Sequence, residues 1–278
     1  ENLEVTKQQE TQSMGGERIF TSLGQHPSGQ VHTEAGGWGG PVSGMTDRQN
    51  PVRLIEDNKQ NRYKFVRPFG NAYVAINPVK NLQFKTNFGV DYSLFYNRSI
   101  RKRYVSGFLS EPDNMVANNT SVGGNWIWTN TATYDLNLQN QSLKFLAGTE
   151  QIKYAQEWFN ASREGYISED PNYAYLGAGA ENQLNSGGGN RWALMSFFGK
   201  FDYSLQDKYL ASFTIRRDES SRFGANNRYG NFPAASVGWR LSNEEFFKSL
   251  IATPVDIKLR ASWGQNGNQE IDPLAVYN

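Results

Sequence analysis

Several long segments of this chain alternate apolar and polar residues, which is the pattern of a β-strand with one apolar face. The clearest segment is NLQFKTNFGVDYSLFYN, which runs from Asn81 to Asn97. Strands in globular proteins have about 5–6 residues, so a segment of this length constrains the fold strongly. One face of this strand would carry Leu82, Phe84, Thr86, Phe88, Val90, Tyr92, Leu94 and Tyr96.

Eight strands are predicted from this alternation, near 69–77, 81–98, 126–138, 142–157, 191–205, 208–222, 232–242 and 255–265. The tight connections PVKN, QNQ and QDK alternate with long Asn-, Gly- and Ser-rich segments, which are 99–125, 158–190 and 223–231. Short turns at one end and long loops at the other are typical of outer-membrane barrels. The sequence therefore predicts an all-β fold, an antiparallel transmembrane β-barrel.

Composition excludes several other classes of protein. The 28 Lys and Arg residues nearly balance the 27 Asp and Glu residues, so there is no basic surplus for nucleic acid. Cysteine is absent, which excludes disulfides, thiolate metal sites and Cys nucleophiles. No segment approaches the roughly 18 apolar residues of a transmembrane helix. A transmembrane β-barrel needs no such segment, because its strands alternate.

Neither catalytic nor cofactor motifs are found in the chain. His26 and His32 lie in a Gly-rich segment with only Glu34 and Asp47 as nominal further ligands, so we expect no metal site. The motifs G-x-S-x-G, H-E-x-x-H and G-K-[ST] are absent. We therefore expect that the chain is not an enzyme and binds no cofactor or nucleic acid.

A helix-start signal follows the strand PAASVGWRL. The stretch Ser242-Asn243-Glu244-Glu245 fits a capping box, in which Ser242 would cap the helix and Glu245 would reach back. Phe246 and Phe247 then begin an apolar helix face. The sequence predicts a short helix in a periplasmic turn, against the rim of the barrel.

Two segments identify a family by resemblance. The stretch RRDESSRFGANNRYGNFPAASVGWRLSNEEFF, from Arg216 to Phe247, is followed by DIKLRASWGQNGNQ, from Asp256 to Gln269. Both closely resemble the barrel of SusC/RagA-type TonB-linked outer-membrane transporters, and the resemblance spans roughly residues 50 to 268. Transporters of this class close at about 22 strands. We therefore expect this chain to supply about eight strands of a larger barrel.

The resemblance also implies a domain organisation and a function. We expect residues 1–68 to form an irregular extracellular loop segment and residues 69–278 to form the barrel strands. The implied activity is TonB-dependent import of large nutrients, a glycan or an oligopeptide, by a multi-pass protein of the outer membrane. The implied partners are a SusD-like surface lipoprotein, the TonB complex through a plug region absent from this chain, and outer-membrane lipid and lipopolysaccharide.

Candidate site residues follow from the predicted faces and loops. The expected lumen-facing residues are Lys85, Asp91, Lys200, Asp202, Asp256, Lys258 and Arg260. The expected membrane-interface aromatics are Tyr209, Trp239 and Trp263, and the residues Trp126, Trp128 and Tyr154 are expected in the aromatic girdle. Candidates for contact with ligand or partner are the loop aromatics Trp158, Phe159, Tyr166, Tyr173 and Tyr175.

Three alternatives remain open from the sequence. The barrel could serve as a structural platform in a larger outer-membrane complex instead of a transporter. The chain could be a soluble carbohydrate-binding β-sandwich, which requires Phe84, Phe88, Phe213, Val237 and Leu259 to be core residues. The basic run Arg98, Arg101, Lys102 and Arg103 could contact lipopolysaccharide phosphate or form a solvated strand end.

Overall fold

A single antiparallel sheet dominates the structure, a computed structural model that describes residues 2–11, 24, 29–42, 44, 48–224, 226–250 and 255–271. Its strands are β1 (Asn2–Thr11), β2 (Arg62–Val79), β3 (Leu82–Arg101), β6 (Met115–Leu138), β7 (Gln141–Glu164), β8 (Glu181–Leu205), β9 (Tyr209–Ser220), β10 (Tyr229–Arg240) and β11 (Lys258–Gly264), in that order across the sheet. The strands β4 (Tyr104–Ser106) and β5 (Leu109–Glu111) form a separate hairpin. The predicted all-β, antiparallel class is confirmed.

Helical structure is confined to the connections. The helices are α1 (Pro51–Asn58) and α2 (Glu245–Leu250), and 3-10 turns occur at Leu176–Ala178 and Leu241–Asn243. No helix in the described part of the chain is long and apolar enough to cross a bilayer.

The central strands are longer than the sequence predicted. Strands β6 and β7 have 24 residues each and β8 has 25, whereas about 9–11 residues cross a bilayer. Most of the segments 99–125 and 158–190, which were expected to be loops, are therefore strand. Alternation indicates a strand only where one face is apolar, and these outer ends are rich in Asn, Ser and Gly on both faces.

The segment 1–68 also differs from the expected irregular loop. Strand β1 pairs with β2 along its whole length, from Asn2 opposite Asn71 to Thr11 opposite Arg62. The helix α1 begins after Asn50, whose Oδ1 accepts hydrogen bonds from the Val52 and Arg53 N–H groups at 3.0 and 3.3 Å. The expectation of irregular structure is wrong here because strand β1, with mostly polar residues, lacks clear alternation.

The register gives the sheet two different faces. One row of paired residues crosses seven strands and is entirely apolar or aromatic: Leu82, Tyr134, Phe145, Phe201, Phe213, Ala235 and Trp263. We call the side of this row the apolar face and the opposite side the polar face. The neighbouring row on the polar face contains Gln83, Thr133, Lys200 and Thr214.

Nothing in the described residues covers the apolar face. Phe84, Phe88, Phe213, Val237 and Leu259 are 43–61% exposed, although a β-sandwich would bury all five. The sandwich alternative is therefore wrong, because the second sheet that it requires is missing from the described structure. An apolar face of this extent suits a protein whose outer surface contacts lipid.

The buried core lies instead at the outer end of the sheet. Ile100, Val116, Tyr166 and Ala174 form a cluster in which each residue is 2–6% exposed. Asn114 holds this cluster together: its Nδ2 donates to the Tyr166 carbonyl and its Oδ1 accepts from the Tyr166 N–H, both at 2.8 Å. The connection 165–180 is therefore folded against the ends of β3 and β6.

The two-faced sheet predicts opposite effects for adjacent substitutions. Phe213 lies on the apolar face and Thr214 on the polar face of β9. Phe213→Arg should lower the free energy of unfolding in lipid vesicles by about 2–4 kcal/mol, because a charge would enter hydrocarbon. Equilibrium urea titrations of the full-length protein measure this change.

Thr214→Arg is the matched control, and we expect it to have a much smaller effect. Equal destabilisation by the two variants would contradict the assignment of the faces.

Candidate functional site

Six of the seven expected lumen-facing residues lie on the polar face of the sheet. They are Lys85, Asp91, Lys200, Asp202, Lys258 and Arg260. Asp256 is different, because it precedes β11 and accepts a hydrogen bond from Ser242 Oγ at 2.8 Å. Its position is in the turn and not on the wall, so the expectation for Asp256 is corrected.

Charged groups on the polar face are largely paired with each other. Arg67 makes a two-point contact with Asp91, with Nε to Oδ1 at 2.7 Å and Nη2 to Oδ2 at 2.6 Å. The Lys200 Nζ lies 2.9 Å from Asp202 Oδ2. Four of the charged residues on the polar face are therefore neutralised in pairs.

A second charged cluster was not predicted from the sequence. Arg216 Nη2 donates to Glu150 Oε1 at 2.9 Å and to Ser196 Oγ at 2.8 Å, while its Nε donates to Asp218 Oδ1 at 2.7 Å. These residues come from β7, β8 and β9, and Ser196 is fully buried. Alternation in the sequence indicates that these residues share a face of their strands. Only the register between the strands places Glu150 next to Arg216.

An apolar depression lies on the opposite side of the sheet. It has a volume of about 720 Å³, and its lining includes Phe84, Ala132, Ala147, Gly199 and Ile215. Apolar cavities are the usual first candidates for ligand sites. This depression lies on the apolar face, where small side chains leave a hollow between aromatic ones.

The expected contact aromatics are dispersed over three environments. Trp158 and Phe159 are strand residues of β7, which corrects their assignment to a loop, and they lie on opposite faces. Tyr166 is 3% exposed and belongs to the outer core, so its expected contact role is corrected as well. Tyr173 and Tyr175 are 66% and 68% exposed in the connection 165–180.

The expected girdle residues are divided between the two faces. Trp126 and Trp128 lie on the apolar face, where Trp126 stacks on Phe88 with ring centroids 6.1 Å apart. Trp128 Nε1 donates to Thr86 Oγ1 at 2.9 Å. Tyr154 is on the polar face and stacks on Trp192 at 5.6 Å, so its girdle assignment is corrected by the register.

The basic run does not form one patch. Arg98 lies on the side of the sheet opposite to Arg101, because the two residues are three apart on β3. Arg101 Nη2 contacts Glu164 Oε1 at 2.8 Å, and Arg103 Nη2 donates to the Tyr166 carbonyl at 3.2 Å. Two of the four cations therefore have structural partners.

The expected interface aromatics lie on the apolar face near the turn that contains α2. Tyr209 and Trp239 are cross-strand partners, and Trp263 is 61% exposed on β11. The Tyr209 hydroxyl and the Trp239 Nε1 both donate to Glu244 Oε1, at 2.7 and 3.0 Å. Glu244 thus fixes both aromatic side chains at the edge of the apolar face.

Glu244 also replaces the predicted capping box. Its carbonyl accepts hydrogen bonds from the Phe247 and Lys248 N–H groups at 3.1 Å, at the start of α2. Ser242, the expected cap, donates to Asp256 instead. The predicted short helix is confirmed, but the 3-10 turn at Leu241–Asn243 moves its start beyond the expected residue.

The three side-chain donors around Glu244 predict a pH dependence. Hydrogen bonds from Tyr209, Trp239 and Lys208 lower the pKa of Glu244 from 4.5 to about 2. Because the folded state favours the ionised Glu244 carboxylate, this group stabilises the fold above pH 4.5. Its contribution disappears as the pH falls towards 2 and the carboxylate is protonated. Glu244→Gln should therefore lower the Tm of the full-length protein at pH 7, and the difference from wild type should shrink between about pH 4.5 and 2.

Thermal unfolding followed from pH 7 to pH 2 tests this expectation. Glu245→Gln is the control, since Glu245 is adjacent and exposed. A difference between wild type and Glu244→Gln that is independent of pH would rule out the carboxylate's charge as the cause.

Comparison with known proteins places the chain among transporter barrels. A family model described as "TonB dependent receptor-like, beta-barrel" matches residues 19–278. TonB-dependent receptor P3 of Formosa agariphila is 30% identical over 241 residues, which cover 82% of this chain and 22% of the relative. TonB-dependent receptor SusC of Bacteroides thetaiotaomicron is 31% identical over 254 residues, covering 85% and 24%.

Solved structures show the same relationship in three dimensions. The structure of the RagAB peptide transporter matches with a TM-score of 0.73 and 25% identity, covering 84% of this chain and 26% of that chain. The RagAB peptide importer in its "open-open" state matches with a TM-score of 0.72 and 26% identity, with the same coverage. The chain thus spans about a quarter of the length of the proteins it matches.

Proposed function

Because the chain belongs to the TonB-dependent receptor-like β-barrel family, we propose that the whole protein imports large nutrients across the outer membrane by TonB-dependent transport. The family consists of transporters and not of enzymes, and its barrels lie in the outer membrane. The described strands are part of the barrel wall. The observation that carries the proposal is the family match over residues 19–278 together with the two faces of the sheet.

The two faces have distinct roles in this proposal. The apolar face, with the row from Leu82 to Trp263, contacts the lipid of the outer membrane. The polar face lines the lumen, so Lys85, Asp91, Lys200 and the Arg216 cluster lie along the path of the cargo or against the plug. The plug itself belongs to a part of the protein outside this chain.

The outer end of the sheet supports a proposal about partners. Tyr173 and Tyr175 are exposed, while the connection that carries them is anchored by the buried Tyr166. Exposed aromatic side chains on an ordered support are favourable contacts for a partner protein, because little flexibility is lost on binding. We assign this surface to the binding of a SusD-like lipoprotein. We assign the plug to the coupling with the TonB complex.

Transport and the partner can be tested together in cells that express the full-length protein. We expect uptake of its cargo to stop when the TonB complex is depleted, and a surface lipoprotein to co-purify after detergent extraction. The double variant Tyr173→Asp/Tyr175→Asp should reduce the recovery of the lipoprotein at least several-fold. Quantitative mass spectrometry measures the recovery.

Phe246→Asp is the control variant, because Phe246 is a similarly exposed aromatic residue on α2, far from the outer end. It should leave the recovery unchanged. Recovery of other membrane machinery, without TonB-dependent uptake, would favour a structural platform and contradict transport.

A further inference from the structure

A group of inward positions on four strands contains no charged residue. It comprises four consecutive rows of the polar face on β3, β6, β7 and β8, which we call the neutral zone: Ser93, Phe95, Asn97, Ser99, Ala117, Asn119, Ser121, Gly123, Gln156, Trp158, Asn160, Ser162, Leu184, Ser186, Gly188 and Asn190. Ten of these sixteen residues have neutral hydroxyl or amide side chains. The zone is therefore polar without being charged.

Charged residues lie at both ends of the neutral zone and on its β2 side. Asp91 and the Arg216 cluster lie on the side towards the short turns, and the Arg101–Glu164 pair lies on the outer side. Arg67, the partner of Asp91, lies on β2 beside Ser93. On the opposite face at the same level, Glu157 and Arg191 form an ion pair. The lack of charge is thus specific to the inward side of these strands.

Trp158 forms an aromatic platform within this zone. Its cross-strand neighbours are Ser121 and Gly188. A Cβ atom placed on Gly188 would lie 2.9–3.2 Å from Cζ2, Cε2 and Nε1 of Trp158, so the indole ring lies directly above the glycine. A side chain at this position would displace the indole from the sheet. With one ring face on Gly188 and a side chain that is 40% exposed, the other ring face is not covered by the described residues.

Hydrogen bonds orient the amide next to this platform. Gln156 Nε2 donates to Ser121 Oγ at 3.0 Å, and the Tyr154 hydroxyl donates to Gln156 Oε1 at 2.7 Å. Tyr154 is in turn stacked on Trp192, with the two rings inclined at 18°. The Gln156 side chain is thus held in place beside Trp158, two residues along the same face.

This combination fits an uncharged sugar chain. The apolar side of a pyranose presents C–H groups of slight positive charge, which are attracted to the negative face of an aromatic ring. Its hydroxyl groups both donate and accept hydrogen bonds, as amide and hydroxyl side chains do. A zwitterionic peptide would bring charges into a zone that has no counter-charge, and unpaired charges are costly to desolvate.

We propose that Trp158 and the neutral zone form a lumenal subsite for an uncharged oligosaccharide. The inference rests on the proposed import function and specifies the substrate class of the same barrel. Trp158 stacks on a sugar ring, and the surrounding Ser, Asn and Gln side chains bind its hydroxyl groups. Gly188 acts as a positioning residue, because it lets the indole ring lie flat on the sheet.

Calorimetric titration of the full-length protein, purified with its co-purifying partners, tests the subsite. The probes are neutral hexasaccharides of glucose, mannose, xylose and galactose, a hexagalacturonate of similar size, and a zwitterionic hexapeptide of alanine. We expect a neutral hexasaccharide to bind more tightly than both charged probes. Trp158→Ala should weaken this binding roughly 10- to 100-fold, as is usual for truncation of a central aromatic contact.

Three further variants separate the subsite from general damage to the barrel. Trp158→Phe keeps a ring and should retain part of the affinity, whereas Gly188→Ala should weaken binding by displacing the indole. Phe159→Ala is the matched control, since Phe159 is the next residue, 54% exposed, on the opposite face. It should leave the affinity unchanged. Heat-modifiable migration in detergent gels verifies that each variant is folded.

The outcomes distinguish this inference from the proposed function. Binding of the peptide or the uronate alone, or of none of the probes, overturns the substrate class. Neutral hexasaccharide binding that is insensitive to Trp158→Ala overturns the site. In either case TonB-dependent uptake of another cargo would still support the proposed function. Trp158-dependent binding without TonB-dependent uptake would contradict transport but support the subsite.

Discussion

Satisfaction of backbone hydrogen bonds inside lipid is the constraint on which the rest of this structure depends. Water is absent from the bilayer core, so a spanning sheet must pair every strand with its neighbours. The described strands meet this demand through continuous antiparallel pairing, from β1 to β11. Continuous pairing, in turn, fixes which side chains share a face. Once Phe213 and Phe201 point to lipid, Thr214 and Lys200 must point to the opposite side.

The same pairing continues past the membrane and organises the outer part of the protein. Strand β8 is 25 residues long, far more than a bilayer requires. Beyond the lipid, the outward face no longer needs to be apolar, and Glu157 and Arg191 can form an ion pair there. The inward face remains part of the wall, so the register that was imposed in the membrane also positions Trp158 over Gly188.

Charge on the two sides of the wall is managed by pairing across strands. Arg67–Asp91 and Lys200–Asp202 are partly exposed pairs, and such pairs contribute little stability by themselves. Their effect is to limit the net charge at two points of the polar face. Near the short turns, Glu244 has two structural roles. Its side chain accepts hydrogen bonds from Tyr209 and Trp239, and its carbonyl accepts hydrogen bonds from the first turn of helix α2.

The sequence alone determined the strand class, the two faces and the family, because alternation over long segments and the Arg216–Phe247 stretch depend only on local residue order. It placed Lys85, Asp91 and Arg260 opposite the apolar residues of their strands, and their lumen-facing position stays a prediction. It did not predict β1, the outer halves of β6–β8 or the polar-face position of Tyr154, since polar residues on both faces erase the alternation there. Only the tertiary structure joined Glu150 to Arg216 and Trp158 to Gly188, because cross-strand register depends on pairing between segments far apart in sequence.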